Sequence, residues 1–475
     1  MIRISCRDES YYYNAYHMVK AFFPGEEVVS LPGEKASPFV RADFADGSSL
    51  SLEAPAGVLD GAAKRELDRD WYHLLAKKTE RKLPWGILTG VRPTKLAMQK
   101  RQENWEKDVF LEWFEKEYLV SKEKALLAWE IAGREERLLR RLDPEKGFSL
   151  YVGIPFCPTV CSYCSFSSGS LLDWKDRVDD YLQALMRELS FLSERCEGKK
   201  PDAVYIGGGT PTSLSALQLE RLLDDIADKF DCRNLLEYTV EAGRPDTITE
   251  EKLKVIQEHG ITRISVNPQT MQQKTLDLVG RKHTVQDTVE AFEKARRLGF
   301  DNINMDLIAG LPGEDAKDMQ DTLGKIEALG PDSLTVHALA IKRAARMGRE
   351  DQKAGTGDEI ADMTKEAALA AERMGLEPYY LYRQKNIAGN FENVGYAKVD
   401  KAGIYNILIM EEKQTILAAG AGASSKIVLK KPCPMPGSRK KKMTNLIRIE
   451  NVKAIDAYID RIDEMTERKG EWLWR

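Results

Sequence analysis

Short apolar runs alternate with longer amphipathic runs over the middle of the chain, from about residue 150 to residue 340. The apolar runs have the length of buried strands, and the runs between them have a helical period. Six such repeats predict a parallel sheet with right-handed crossovers, curled into a partial (β/α)6 barrel. The predicted strands are Leu150–Ile154, Ala203–Ile206, Tyr238–Glu241, Arg263–Val266, Ile303–Ile308 and Ser333–Ala338, and the predicted helices include Asp179–Arg195, Ala216–Lys229 and Thr284–Leu298.

Different patterns flank this α/β repeat on both sides. The stretch from Phe39 to Leu52 alternates apolar and polar residues around an Asp46–Gly47 turn and predicts a β-hairpin. The run after Ser121 has apolar residues at helical spacing and predicts a long helix that begins at this serine. The predicted domains are an N-terminal α+β domain at residues 1–145, the barrel at residues 146–375 and a C-terminal extension covering the barrel at residues 376–475.

Composition and charge restrict the classes of partner. The 475 residues carry a formal net charge of −4, so no overall basic field favours nucleic acid. The basic segment Lys426–Asn445 lacks interleaved aromatic residues and predicts a surface loop. We find no run of about 18 apolar residues and no apolar signal segment at the start, which predicts no membrane span. The seven cysteines are an odd number, and four of them lie far from one another in the sequence, so a disulfide framework is not predicted. These features together predict a cytoplasmic protein in a reducing compartment.

Three of the seven cysteines lie within eight residues, directly after the first predicted strand. Cys157, Cys161 and Cys164 have the spacing C-x3-C-x2-C, on the loop where a barrel places its chemistry. Thiolates suit zinc or an iron-sulfur cluster. A structural zinc site closes with a fourth ligand nearby, whereas the nearest downstream cysteine, Cys196, is predicted on a helix. We therefore predict a [4Fe-4S] cluster with one iron left open for another ligand.

A glycine-rich segment, YIGGGTPT, follows the second predicted strand from Tyr205 to Thr212. Gly207, Gly208 and Gly209 allow the backbone to approach a ligand closely, and their N–H groups are donors for a carboxylate. A glycine triplet alone is most often only a turn. Its place at the same end of the sheet as the cysteines indicates a shared binding site.

The cysteine motif, with Tyr163 before its last cysteine, resembles that of the radical S-adenosylmethionine (SAM) enzymes. The variant GGGTPT is similar to the SAM-binding segment of the oxygen-independent coproporphyrinogen III oxidase family. Trp85–Leu96 and Tyr382–Tyr396 look like the corresponding segments of its HemZ branch, and the resemblance covers roughly residues 150–425. It implies a [4Fe-4S] cluster on the three cysteines, SAM on the open iron and a deoxyadenosyl radical as the oxidant.

The same resemblance assigns further residues to the cofactors, one or two at each strand end. Gly420, Gly422 and Ala423 match positions of further backbone contacts. The resemblance places the following residues around SAM: Tyr151, Tyr163, Gly208, Gly209, Thr210, Glu241, Gln269, Arg281, Asp306 and Ala340.

The family implies an oxidoreductase of haem biosynthesis that converts coproporphyrinogen III to protoporphyrinogen IX, with flavodoxin or ferredoxin as electron donor. Cations are needed for the four substrate carboxylates. Phe166 stands where established oxidases carry a further cysteine, and the sequence around it is closer to the HemW branch, which is associated with haem transfer. A haem chaperone and a radical SAM enzyme acting on haem are therefore the alternatives. The candidate cations are Lys342, Arg343, Arg346, Arg383 and Lys385.

Overall fold

The computed structural model describes residues 1–31, 39–53, 60–90, 92–166, 168–339, 347, 355–383, 391–436 and 443–474. Its strands are β1 (Ile2–Cys6), β2 (Val28–Ser30), β3 (Val40–Asp43), β4 (Ser49–Leu52), β5 (Gly147–Ile154), β6 (Phe156–Cys157), β7 (Gly169–Ser170), β8 (Lys200–Gly208), β9 (Glu237–Glu241), β10 (Arg263–Ser265), β11 (Ile303–Ala309), β12 (Ser333–Ala338), β13 (Glu377–Arg383), β14 (Glu392–Ala397), β15 (Ile416–Ala419), β16 (Ser424–Pro434) and β17 (Met443–Glu450).

The helices separate and follow these strands along the chain. They are α1 (Glu9–Phe22), α2 (Gly61–Thr79), α3 (Thr94–Gln102), α4 (Lys107–Tyr118), α5 (Lys122–Leu139), α6 (Leu171–Trp174), α7 (Val178–Glu194), α8 (Ala216–Lys229), α9 (Glu250–Glu258), α10 (Gln273–Leu278), α11 (Val285–Arg297), α12 (Ala316–Leu329), α13 (Gly357–Arg373), α14 (Ile404–Glu411), α15 (Ile455–Asp460) and α16 (Ile462–Gly470).

The six predicted strands form the parallel centre of the larger sheet. They are β5, β8, β9, β10, β11 and β12, which lie side by side in chain order and pair in parallel. Their apolar side chains are buried, as strands covered by helices on their faces require. The predicted α/β class and all six strands are confirmed. In the described part of the chain, β13 and β17 are the edges of this sheet, which is open as expected for a partial barrel.

The chain after residue 375 adds strands to both sides of this parallel centre. β14 pairs antiparallel with β12, and β13 pairs with β14. On the other side, β15 pairs parallel with β5, and the β16–β17 hairpin follows. The C-terminal extension is thus joined to the sheet by backbone hydrogen bonds. The division of the chain at residues 145 and 375 stays a prediction.

The N-terminal region has its own four-stranded sheet, in the order β2-β1-β3-β4. The predicted hairpin is confirmed: β3 and β4 are antiparallel, and Gly47 has a φ of 80° in the turn between them. Tyr11 and Trp71 are fully buried in the core that α1 and α2 build against this sheet. Ser121 caps α5 as predicted, its side chain accepting from the Lys124 N–H at 3.3 Å.

Crossover helices start at well-defined positions, which fixes the loops that precede them. Ser215, Thr284 and Asp315 each cap a helix through a capping box. The capped helices α8, α11 and α12 bury apolar faces against the sheet. Among the described helices, none is both long enough and apolar enough to cross a lipid bilayer.

Candidate active site

The three predicted cluster ligands lie on one loop that follows the carboxyl end of β5. Cys157 belongs to β6, which pairs with β7 and closes the base of the loop. Inside the loop, the Cys164 N–H donates to the Cys161 carbonyl oxygen at 3.1 Å. The Ser162 N–H donates to the Val279 carbonyl oxygen at 3.0 Å. These bonds hold the backbone in place, and all three cysteines are free thiols.

The surroundings of two of these thiols favour their protonated form. Burial raises the pKa of Cys157 to about 11, and burial also raises the pKa of Cys164. Near neutral pH, such thiols stay protonated unless a cation such as iron binds them. No three His, Cys, Asp or Glu side chains among the described residues converge as a single-ion site requires. A cubane cluster needs no such convergence, because each cysteine binds a different iron atom.

The glycine segment after β8 packs directly against the cysteine loop. The Gly209 N–H donates to the Ile154 carbonyl oxygen and the Thr210 N–H to the Phe156 carbonyl oxygen, both at 2.8 Å. A Cβ atom on Gly209 would lie 2.7 Å from the Phe156 oxygen, so only glycine fits there. The Thr210 Oγ1 lies 3.4 Å from the Cys157 Sγ. These two N–H groups therefore hold the loops together, and Thr210 is the residue that reaches a predicted ligand.

Glu241 lies at the carboxyl end of β9, beside the glycine segment. It accepts a short hydrogen bond from the Tyr205 hydroxyl. Burial raises the pKa of Glu241 to about 7, and the charge of Asp306 adds to the rise, although bonds from Tyr205 and the Gly208 N–H oppose it. Glu241 is thus poised to change charge near neutral pH.

Gln269 follows β10, Asp306 lies within the neighbouring strand β11, and backbone hydrogen bonds join the two segments. The Gln269 N–H donates to the Asp306 carbonyl oxygen at 2.9 Å, and the Ile308 N–H donates to the Gln269 carbonyl oxygen at 2.9 Å. The Asn304 amide donates to the Asp306 Oδ1 at 2.7 Å. Gln269 has a φ of 69°, and its buried Oε1 has no partner among the described residues. A buried acceptor of this kind is suited to a polar ligand.

Arg281 joins the cysteine loop to the ends of β9 and β10. Its Nη1 donates to the Tyr163 hydroxyl at 3.3 Å, and its Nη2 donates to the Asn267 and Gly243 carbonyl oxygens at 2.5 and 3.2 Å. Its Nε is buried and has no partner within the described part of the chain. Arg281 therefore retains one donor that a bound carboxylate can use.

Tyr151 stands on β5 within a stack of three tyrosine rings. Its ring centre is 6.3 Å from that of Tyr205 and 6.0 Å from that of Tyr405. Burial raises the pKa of Tyr151, so the hydroxyl stays protonated. Because Tyr205 also binds Glu241, the stack connects β5 and β8 with the carboxyl end of β9.

Other predicted residues have different surroundings. The Gly420 N–H donates to the Glu188 Oε2 and the Gly422 N–H to the Val452 carbonyl oxygen, both at 2.8 Å. Arg383 is 3% exposed and donates to the Leu88 carbonyl oxygen at 2.7 Å. Several predicted residues lie outside the described part of the chain: Ala340, Lys342, Arg343, Arg346 and Lys385.

Comparison with known proteins assigns the chain to a family. The family model for the radical SAM superfamily matches residues 151–326. The chain is 41% identical over 417 residues to the oxygen-independent coproporphyrinogen-III oxidase-like protein HemZ of Bacillus subtilis (strain 168), covering 86% of this chain and 81% of that protein. The chain belongs to the HemZ branch of the radical SAM superfamily.

More distant relatives include proteins of two kinds. The heme chaperone HemW of B. subtilis is 38% identical over 197 residues, which span 41% of this chain and 51% of that protein. The structure of coproporphyrinogen III oxidase (HemN) from Escherichia coli matches with a TM-score of 0.55 at 23% identity, over 70% of this chain and 72% of that chain. The latter match confirms the radical SAM fold.

The cofactors of this HemZ-branch protein are a [4Fe-4S] cluster and SAM. The residues at the site fit both groups. Three free cysteines can bind three irons, and the unpartnered atoms of Gln269 and Arg281 can bind the polar groups of SAM.

Two residues of this HemZ-branch site were missed in the sequence. Tyr205 precedes the glycines and binds Glu241, a side-chain pairing that only the register of β8 and β9 reveals. Arg244 follows Glu241 by three residues, and its Nη1 lies 3.9 Å from the Cys161 Sγ. A buried arginine cannot be told from a solvated one by spacing alone. The segment Gly243–Asp246, with an arginine between a glycine and a proline at a strand end, was the available signal.

Proposed function

We propose that the protein catalyses the oxygen-independent oxidative decarboxylation of coproporphyrinogen III to protoporphyrinogen IX. The observation that supports this most is the 41% identity to the coproporphyrinogen-III oxidase-like protein HemZ over 86% of the chain, well beyond the barrel. Each of two propionate groups would give a hydrogen atom to the 5'-deoxyadenosyl radical, release carbon dioxide and pass one electron to an electron acceptor, and so become a vinyl group. A low-potential protein such as flavodoxin or ferredoxin would supply electrons to start each turnover.

In this proposal each residue at the strand ends has a defined task. Cys157, Cys161 and Cys164 would hold the cluster, which, when reduced and bound to SAM, supplies a 5'-deoxyadenosyl radical. Arg281 would use its free Nε to orient the SAM carboxylate, and Gln269 would accept from a polar group of SAM.

The other assigned residues would line the same volume. Thr210, beside Cys157, would restrict access to the cluster, and the glycines before it would leave room for the ligand. The remaining candidates for contact with SAM are Tyr151, Tyr163, Gly208, Gly209, Glu241, Asp306 and Ala340.

The affinity for SAM is expected to depend on the charge of Glu241. SAM carries a sulfonium, so an ionised carboxylate binds it better than a protonated one. Since the pKa of Glu241 is about 7, its ionised fraction rises with pH through neutrality. We expect the Kd for SAM, measured anaerobically by equilibrium dialysis, to fall about tenfold from pH 6 to pH 8.

Two variants check this assignment. Glu241→Gln cannot ionise, and its Kd should stay nearly constant over the same pH range. Tyr205→Phe removes a hydrogen bond that favours the carboxylate, so its transition should move to higher pH. If the Kd of Glu241→Gln for SAM shows the same pH dependence as that of the wild type, a group other than Glu241 causes it.

A haem chaperone is the second candidate function. Phe166 occupies the position of the additional oxidase cysteine, and its side chain is 72% exposed beside the cluster loop. The 38% identity to the heme chaperone HemW supports the same alternative. A chaperone of this kind would bind haem stoichiometrically and pass it on without changing it.

One anaerobic experiment separates the two functions. The reconstituted protein is incubated with SAM and dithionite, and with either coproporphyrinogen III or haem, and the products are identified by mass spectrometry. We expect protoporphyrinogen IX and 5'-deoxyadenosine from coproporphyrinogen III, and neither product from the Cys164→Ala variant. Haem that stays bound and intact, with coproporphyrinogen III left unchanged, would favour the chaperone and contradict the oxidase.

A further inference from the structure

A buried arginine, paired with a partly exposed aspartate, lies against one of the cluster ligands. Arg244 follows β9 and is 3% exposed. Its Nε and Nη2 donate to the two carboxylate oxygens of Asp246 at 2.9 and 2.7 Å. Its Nη1 faces the other way, with the Thr159 Oγ1 at 3.1 Å and the Cys161 Sγ at 3.9 Å. The guanidinium therefore stands between the cysteine sulfur and the carboxylate.

We propose that Arg244 and Asp246 set the reduction potential of the cluster, with Arg244 raising it and Asp246 lowering it. Both act through Cys161 as tuning residues rather than as catalytic ones. The proposal rests on the cluster that the three cysteines hold, and it is independent of which tetrapyrrole the protein binds.

The order of the charges gives the sign of each effect. Reduction adds a negative charge to the cluster, and a cation beside a cysteine ligand stabilises that charge. Arg244 has a nitrogen directed at the Cys161 sulfur, whereas Asp246 is bound to the opposite edge of the guanidinium. The arginine is therefore the closer charge, and its effect is reduced but not cancelled by the carboxylate.

The neighbouring groups His283 and Arg281 make no hydrogen bond to the Cys161 sulfur among the described residues. His283 is 2% exposed and neither ring nitrogen has a partner among the described residues. Burial, together with the charges of Arg281 and Arg244, lowers the pKa of His283 to about 4, so the ring is neutral at pH 7. Arg281 directs its donors at Tyr163 and at backbone carbonyl oxygens. The Arg244–Asp246 pair is therefore the charged unit that reaches Cys161 directly.

The test is a potentiometric titration of the reconstituted protein, followed by the electron paramagnetic resonance signal of the reduced cluster, without SAM or tetrapyrrole. We expect Arg244→Met to lower the equilibrium constant for reduction about tenfold, which is about 59 mV for a one-electron couple. Asp246→Asn keeps the guanidinium and the shape of the pair, and it should move the potential in the opposite direction. Arg244→Lys keeps the charge and should restore most of the wild-type value.

A matched control removes a partly buried arginine at the other end of the sheet. Arg296 pairs with Asp332, which precedes β12, at 2.6 Å. Arg296→Met should leave the potential unchanged, because the strands separate it from the cysteines. If Asp246→Asn leaves the potential unchanged or lowers it, the proposal is wrong, whatever the behaviour of Arg244→Met. If the pair has only a structural role, neither Arg244→Met nor Asp246→Asn will change the reduction potential of a protein that retains its cluster.

Discussion

Replacing Cys161 by alanine is expected to remove the cluster and to lower SAM cleavage by more than about 100-fold. Loss of a group that only supports a metal ligand costs about 10–100-fold in affinity or activity, and loss of the ligand itself should cost more. The remaining thiols, Cys157 and Cys164, have pKa values raised by burial and cannot compensate by ionising more readily. The measurements are iron content per chain, absorbance of the cluster and the rate of 5'-deoxyadenosine formation.

The matched control is Cys196→Ala, which removes the nearest downstream cysteine. Cys196 is 6% exposed and follows α7, shortly before β8 begins. It therefore lies at the opposite end of the sheet from Cys157, which follows β5 at its carboxyl end. This variant should keep its iron and its rate of SAM cleavage. Loss of the cluster in Cys196→Ala, with retention in Cys161→Ala, would contradict the assignment of the ligands.

The central sheet could be predicted because each strand carries its own signal. A buried parallel strand must be apolar over its length, and a covering helix must be amphipathic, so both periods are visible locally. Ala216–Lys229 was predicted with the bounds that the structure gives to α8. The placement of the polar residues followed from the same rule, because parallel strands bring their carboxyl ends to one side.

Contacts between distant parts of the chain could not be predicted in this way. Trp85 lies in the N-terminal region, and its Nε1 donates to the Glu392 Oε2 at 2.7 Å; Lys124 pairs with the same carboxylate at 2.7 Å. Arg383, proposed as a cation for substrate, is bound to the Leu88 carbonyl oxygen instead. The sequence does not distinguish a solvated charged side chain from a buried one, because burial depends on a hydrogen-bond partner that another element supplies.

The sequence also did not predict which strands would pair with those of the C-terminal extension. β14 and β15 are separated by α14 in the chain, yet they pair with β12 and β5 on the two sides of the parallel centre. Strand order depends on which apolar surfaces meet in three dimensions, whereas the period of a single strand carries no such information.

We expect Lys469→Met to lower the free energy of unfolding by about 3–5 kcal/mol, because it leaves a buried carboxylate without its cation. Lys469 and Glu188 are both fully buried and form an ion pair between α16 and α7. Glu188 also accepts from the Asn451 amide at 2.9 Å and from the Tyr458 hydroxyl at 2.5 Å. The measurement is the urea midpoint of unfolding, followed by circular dichroism, with the slope compared between variants.

An exposed ion pair between the same two helices is the matched control. Arg187 and Asp463 join α7 to α16, with side chains that are 62% and 85% exposed. Arg187→Met should change the free energy of unfolding by less than about 1 kcal/mol, since solvent screens such pairs. Adding Glu188→Gln to Lys469→Met removes the unpaired charge and should recover part of the loss. Equal losses for Lys469→Met and Arg187→Met would mean that burial of the inner pair does not decide its contribution.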